Sequence, residues 1–381
     1  VVFGTGTELK TGELVRAQGC RKALVHYGGQ SAVRSGLLDR VCASLAAAGI
    51  EYVSLGGVVP NPRLSLVYEG IELCRKEGVD FLLAVGGGSV IDSAKAIAYG
   101  LANSFDVWDI YAGRRAPVAC YPIGAVLTIP AAGSEMSDSS VITNEQTGDK
   151  RGFSSDLSRC KFAVMNPELT YTLPAYQVSC GVVDILMHTI ERYFTKDTGT
   201  ELTDALSEGL MRTVLKFGPE ALKDPSAYNP RAQIMWAGSL SHNGLTGSRA
   251  VADWATHQLE HELSAMFDVA HGAGLAAVWG SWARFVRDTS IPRFAQFAVN
   301  VMGCEAQADP DQTALAGIEA MEAFFRSIDM PTSIRALTGV TLTEEQVKEL
   351  AHRCTFRDKR TIGSFRVLQK RDMEEIYRMA R

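Results

Sequence analysis

FLLAVGGGSVIDSAKAIAYG, residues 81–100, passes from an apolar run through three glycines and a serine into a helix. A continuous apolar run followed by glycine is the pattern of a strand buried on both faces. The junction after it is an anion cradle. Gly86, Gly87 and Gly88 let the backbone approach a diphosphate, whose charge then faces the helix N-terminus. Ser89 adds a hydroxyl, and Asp92 falls in the first turn. A tight turn with no ligand is the competing explanation of the same residues.

On either side of this junction two textures alternate. β-Branched runs (KALVHY at 22–27, EYVSLGG at 51–57, PIGAVLTIP at 122–130) are separated by amphipathic stretches such as GLLDRVCASLAAAG (36–49) and SLVYEGIELCRKEG (65–78). Strand–helix–strand alternation implies a mostly parallel sheet covered by helices. KFAVMNPELTYTLP (161–174) reads as a last strand and a proline-bounded crossover. After Pro174 the period is helical nearly to the end, broken at GPEALKDPSAYNP (218–230) and DMPTSI (329–334). The expected organisation is therefore α/β plus all-α. A Rossmann-like α/β domain spans 1–174, and an all-helical domain spans 175–381.

A chain of 381 residues suits two domains. Its apolar fraction of 46% and charged fraction of 21% are those of a globular protein, and a net charge of −5 gives no reason to expect nucleic acid. The apolar runs are too short to span a bilayer, which takes about 20 residues. VVFGTG at the start is strand-like and has no basic-then-apolar leader character. The eight cysteines form no C-x-x-C pair, which points to reduced, packed thiols in the cytoplasm.

DWATHQLEHELSAMFDVAHG (253–272) holds His257, His261 and His271, three of the chain's seven histidines. His257 and His261 share a helical face. On one continuous helix His271 would lie about 21 Å from His257, so a shared metal needs a break, which the weak helix formers of MFDVAHG supply. Upstream, Asp184 and His188 are also four apart, in GVVDILMHTIERYF. A carboxylate and imidazoles in an apolar helical domain are costly to bury without partners. One cation would satisfy them, and an Asp/His set suits Fe²⁺ or Zn²⁺. Spacing leaves open whether these are ligands or satisfied core pairs, and whether His257 or His261 is the ligand. His26, His242 and His352 read as structural or surface residues.

No G-x-G-x-x-G follows the first long strand. That strand ends on Gly28, Gly29, Gln30 and Ser31, with Arg34 nearby and no acid to receive an adenosine 2′-hydroxyl, which favours NADP(H) over NAD(H). In LTIPAAGSEMSDSSVI, Thr128, Ser134 and Ser137 are candidate cofactor contacts, as is Lys150 in TGDKRG.

Taken in order, FGTG, YGGQS, GGGSVIDSAKAIA, TIPAAGSEMS, TGDK, NPELTYTLP, GVVDILMHTIERY, DWATHQLEHELSAMFDVAHGAGLA and IGSFRVLQKRDMEEIYRMA resemble the iron-dependent (group III) alcohol dehydrogenase family. The resemblance is greatest to its NADP-dependent butanol dehydrogenase and aldehyde reductase branch, and it covers nearly the whole chain. It implies the dehydroquinate synthase-like fold of that family and a metal held by Asp184, His188, His257 and His271. It places His261 near the substrate and nicotinamide as the candidate proton relay. Gly86, Gly87, Gly88, Ser89 and Asp92 match the family's diphosphate loop, and Thr128, Ser137 and Lys150 match other cofactor contacts. Gly28, Gly29 and Ser31 stand where NAD-preferring relatives carry an aspartate, and Ala132 stands where many have threonine. The resemblance further implies a homodimer acting on a small aldehyde or primary alcohol, and Phe153, Leu186 and Trp254 are the residues expected to line its pocket. A metal- and NAD-dependent lyase or cyclase of the dehydroquinate synthase type is the rival function. The neutral and apolar segments around the metal residues lack the basic side chains that such a charged substrate needs.

Overall fold

In the computed structural model, which describes residues 1–247 and 252–381, the alternating first part of the chain closes into one six-stranded sheet. Its strands are β1 (Val2–Phe3), β2 (Lys22–Tyr27), β3 (Glu51–Leu55), β4 (Phe81–Gly86), β5 (Ile123–Leu127) and, after a separate hairpin of β6 (Ser139–Asn144) and β7 (Asp149–Ser154), β8 (Phe162–Met165). The order is β1-β8-β5-β4-β2-β3, with every neighbour parallel. β4 is central and buried on both faces along its whole length, as its unbroken apolar run requires. β3, at the edge, keeps Glu51, Tyr52 and Ser54 exposed.

This order contains one reversal. From β2 the chain crosses outward to β3, whereas from β4 it crosses the other way to β5. β2 and β4 are adjacent and their outgoing connections diverge, so a crevice opens at their carboxyl ends, where open α/β sheets bind ligands. Two helices on the sheet, Leu64–Glu77 and Gly88–Ala102, interlock through glycine. A methyl on Gly70 would meet Ile97 at 2.4 Å, and one on Gly100 would meet Ile71 at 2.1 Å. The antiparallel β6–β7 hairpin was not foreseen, because its hydroxyl- and glycine-rich residues carry loop signals. It packs over the Gly88–Ala102 helix, which is why that helix is buried all round from Val90 to Gly100.

The chain divides into two compact units, Val1–Leu173 and Pro174–Arg381. Among the described residues the second unit is helical, with one isolated bridge between Ile362 and Leu368. Its core gathers Phe194, Trp279, Trp282, Phe294, Phe297 and Phe365, all buried. The Ala175–Tyr193 helix is enclosed by its neighbours, so nearly every residue from Val178 on is buried, polar ones included. The Ala255–Phe267 helix ends where Asp268 takes a left-handed conformation (φ 52°), and a new helix starts at His271. That is the break the three histidines require. Gly272 then lets the new helix press against the Ala175–Tyr193 helix: a methyl there would lie 2.1 Å from the carbonyl oxygen of Cys180, one turn before Asp184.

Candidate metal centre and cofactor cradle

Three imidazoles converge on one carboxylate oxygen in the helical unit. Nδ1 of His188 lies 3.3 Å from Oδ1 of Asp184, and Nε2 of His257 and Nε2 of His271 each lie 3.7 Å from the same atom. Asp184, His188 and His257 are 4%, 3% and 6% exposed. Yet Asp184 Oδ1, His188 Nδ1 and both ring nitrogens of His257 make no hydrogen bond among the described residues. Buried polar atoms left without partners are rare and costly. A tetrahedral ion with bonds of about 2.0–2.1 Å separates its ligand atoms by about 3.3–3.4 Å, within a few tenths of an ångström of these three distances to Asp184. The ligand atoms of Asp184, His188 and His257 all lie within 4.8 Å of one another, while His271 groups in the same way with Glu260 and His261. The donor set therefore fits one divalent cation of the Fe²⁺/Zn²⁺ kind.

The electrostatics agree. Burial opposes a charge on His257, but the carboxylates of Glu191 and Asp184 outweigh it and hold its pKa at about 9. Burial and the neighbouring charges of His242, His257, Arg192 and His271 push His188 the other way, well below the usual imidazole range. The cluster draws positive charge that its packed imidazoles cannot all carry as protons. His261 stands beside this group: its ring is 5.7 Å from that of His271 and half-buried.

In the sheet unit, the sequence-predicted loops follow three adjacent strands. Tyr27 pairs with Val85 and Gly86 with Leu127, so Gly28 to Ser31, Gly86 to Ser89, and Thr128 leave the sheet side by side at its carboxyl edge. Gly87 caps the Gly88–Ala102 helix in an extended conformation, with no side-chain cap on the first amides. The glycines also serve packing. A methyl on Gly87 would meet Ile129 at 3.0 Å, and one on Gly88 would meet Ala132 at 3.0 Å. Gly29 is exposed, and a methyl there would meet nothing.

Three expected cofactor residues have internal work. Asp92 accepts hydrogen bonds from the Ser134 hydroxyl (2.8 Å) and the Val141 amide (2.9 Å), which ties the hydroxyl-rich loop and β6 to the helix. Ser137 is fully buried, and its hydroxyl donates to the Ser139 carbonyl. Lys150 is buried within β7, in register with Thr143. Lys95, which the sequence did not single out, is fully buried and donates to the carbonyls of Ser134, Ser137 and Ser139.

The family model for iron-containing alcohol dehydrogenase matches residues 1–167, and that for the C-terminal part of the Fe-containing alcohol dehydrogenase family matches residues 178–381. The chain belongs to the iron-containing alcohol dehydrogenase family. It is thus an oxidoreductase of the alcohol dehydrogenase type. Among its relatives, NADH-dependent butanol dehydrogenase A of Clostridium acetobutylicum is 37% identical over 99% of this chain and 96% of its own. The NADPH-dependent aldehyde reductase YqhD of Escherichia coli is 40% identical over 82% of this chain and 81% of its own. The crystal structure of NADH-dependent butanol dehydrogenase A from Thermotoga maritima superposes with a TM-score of 0.95 at 37% identity, covering 100% of this chain and 96% of that one.

Several residues of this alcohol dehydrogenase were missed from the sequence. Glu191 accepts the backbone N–H of His257 (3.0 Å), and its carboxylate lies 3.3 Å from Nδ1 of that ring. Glu260 accepts from Nδ1 of His271. Both follow a candidate ligand by three residues, in HTIE (188–191) and HQLE (257–260), and that repeated H-x-x-E is the signal that would have found them. Asp253 is buried and joins three segments. Its carboxylate accepts from the amides of Ser364 and Phe365 (2.8 Å each) and of Ala255 (3.3 Å), while its own N–H donates to the Glu191 carbonyl. Burial, then the charge of Glu191, raises its pKa to about 7.

His242, read as structural or surface, packs its ring 4.1 Å from that of His188. Trp254 adopts a left-handed conformation (φ 55°), and its ring centroid lies 5.1 Å from that of His257. Of the other two expected pocket residues, Leu186 lies in the helical core with no exposed surface, and Phe153, in β7 of the hairpin, packs on Tyr99 and Tyr111.

Proposed function

We propose that this protein reduces small aldehydes to primary alcohols with NADPH, in the manner of a butanol dehydrogenase-like aldehyde reductase. The reading rests above all on the convergence of His188, His257 and His271 on Asp184. Those four residues hold the metal, and the loops at Gly28–Ser31, Gly86–Ser89 and Thr128 hold the dinucleotide. When bound, the metal polarises a carbonyl oxygen as a Lewis acid and the nicotinamide exchanges hydride with its carbon.

The chain's own residues supply position and protons. Asp184 contributes negative charge that balances the cation, and the buried apolar helices around it limit water. His261, half-buried beside His271, holds at a ring nitrogen the proton that the product oxygen takes up. The preference for NADPH is supported by the absence of any acid from Gly28 to Ser31 and by the open space at Gly29. The relatives include four butanol dehydrogenases named for NADH, an aldehyde reductase named for NADPH and an alcohol dehydrogenase named for NADP, so the preference rests on this chain's own loop. A cytoplasmic homodimer completes the reading. Eight free thiols favour a reducing compartment, and no helix among the described residues is long and apolar enough to cross a membrane.

The test is absorbance at 340 nm with butyraldehyde and NADPH or NADH, on protein stripped of metal and reloaded with Fe²⁺ or Zn²⁺. Metal-dependent oxidation of NADPH is the expected result. No consumption of either cofactor under any loading would refute the proposal.

A further inference from the structure

We infer that Glu260 is a positioning residue of the metal centre. Its carboxylate holds Nδ1 of His271 and so turns Nε2 of that ring toward Asp184. The inference rests on the metal reading above and assigns a role to a side chain outside the four ligands.

Glu260 has no exposed surface. One carboxylate oxygen accepts from Nδ1 of His271, and the other accepts from the hydroxyl of Ser264, one turn further along the same helix. Nε2 of the His271 ring lies 3.7 Å from Asp184 Oδ1. A neutral imidazole carries one N–H. With that proton held at Nδ1 by an anionic acceptor, the lone pair of Nε2 is fixed on the side of the cluster, and its basicity rises.

Two further observations carry the assignment. The first is Gly274, three residues after His271 and on the same helical face. A methyl there would stand 2.8 Å from both Cγ and Oε1 of Glu260, so this glycine leaves room for the carboxylate. The second is repetition. Glu191 stands 3.3 Å behind Nδ1 of His257, whose Nε2 again faces Asp184 at 3.7 Å. Two ligand rings are each backed by a buried glutamate, and each backing residue belongs to the helix of a different ligand: Glu191 to that of His188, Glu260 to that of His257.

The experiment titrates the metal-stripped full-length protein with Co²⁺, reading the visible ligand-field absorption and obtaining affinity by competition with a chelator. Circular dichroism confirms that each variant is folded. Glu260→Gln keeps the shape and removes the charge, and it should weaken Co²⁺ binding by about 10–100-fold and alter the absorption envelope. Gly274→Ala should weaken binding when Glu260 is present and add no loss in a Glu260→Ala background, a non-additivity that simple destabilisation does not produce. Wild-type affinity and spectrum in Glu260→Gln, or additive losses for Gly274→Ala and Glu260→Ala, would overturn the inference and leave the metal reading intact. A wild-type protein that takes up no Co²⁺ would overturn both.

Discussion

Gly272→Ala is the most informative single substitution for the architecture of the metal centre. The added methyl would lie 2.1 Å from the Cys180 carbonyl oxygen, 2.7 Å from its carbon and 2.8 Å from its Cα. Ordinary contact begins near about 3.4 Å, so the shortfall is about 1 Å. Because the obstacle is backbone, no side-chain rotation relieves it, and the two helices must part. Overpacking of this kind costs about 1–3 kcal/mol, and a rigid backbone neighbour places this site in the upper part of that range. For a unit of this size the loss lowers the melting temperature by about 5–10 °C.

The same displacement opens the gap between His271 and Asp184, while metal–ligand distances tolerate only about 0.2 Å. Misplacement by about 1 Å should reduce turnover by about a hundredfold. Thermal unfolding with and without Zn²⁺, followed by the 340 nm assay, reads both effects. Gly209→Ala, in the long helix Glu201–Lys223 where the methyl meets nothing, is the control and should be neutral or stabilising. A Gly272→Ala protein that melts and turns over like wild type would refute the packing argument.

Two other expectations concern the sheet unit. His26 is fully buried, with Nδ1 donating to the Leu55 carbonyl and Nε2 bonded to Ser93, and burial lowers its pKa from 6.5 to about 4 despite the Leu55 bond. The unfolded chain therefore binds a proton that the folded chain refuses. This stability is fully present above pH 6.5, is lost progressively toward pH 4, and amounts to about 3 kcal/mol. Urea midpoints measured across that window should lose this slope in His26→Gln, and an unchanged slope would exclude the assignment. Gly29→Asp adds a carboxylate where the structure has open space, so stability should hold while repulsion of a 2′-phosphate lowers kcat/KM for NADPH relative to NADH by about tenfold or more. An unchanged ratio would show that Gly29 does not face the adenosine ribose.

Local chemistry made much of this legible from the sequence. The buried strand and triple glycine at 81–88, the change of texture at Pro174 and the helix break before His271 all follow from residue types acting on their near neighbours. What escaped depends on which face a residue presents and on distant partners. Asp184 and His188 lie four apart on the site face of their helix, and Leu186, two positions from each, necessarily points away into the core. Asp92, expected in the first turn of its helix where an acid suggests a ligand contact, lies just past that turn, where β6 and the Ser134 loop come back to engage it. Spacing could not separate His257 from His261, because the helix places both on one side. Only the tertiary fold, in which Nε2 of His257 comes within 3.7 Å of Asp184 on the Ala175–Tyr193 helix, separates the two. Glu191 and Glu260 were passed over because each backs a candidate ligand on another helix; the repeated H-x-x-E spacing marks both glutamates but does not show which ring each one meets.

The most direct measurement is the metal content of purified protein after dialysis against Fe²⁺ or Zn²⁺, compared between wild type and His257→Ala and read beside butyraldehyde-dependent loss of NADPH. One tightly held ion per wild-type chain, activity that follows its removal and return, and loss of both in His257→Ala is the expected result. Full activity in metal-free protein, or undiminished metal in His257→Ala, would contradict the assignment of Asp184, His188, His257 and His271 as the catalytic metal centre.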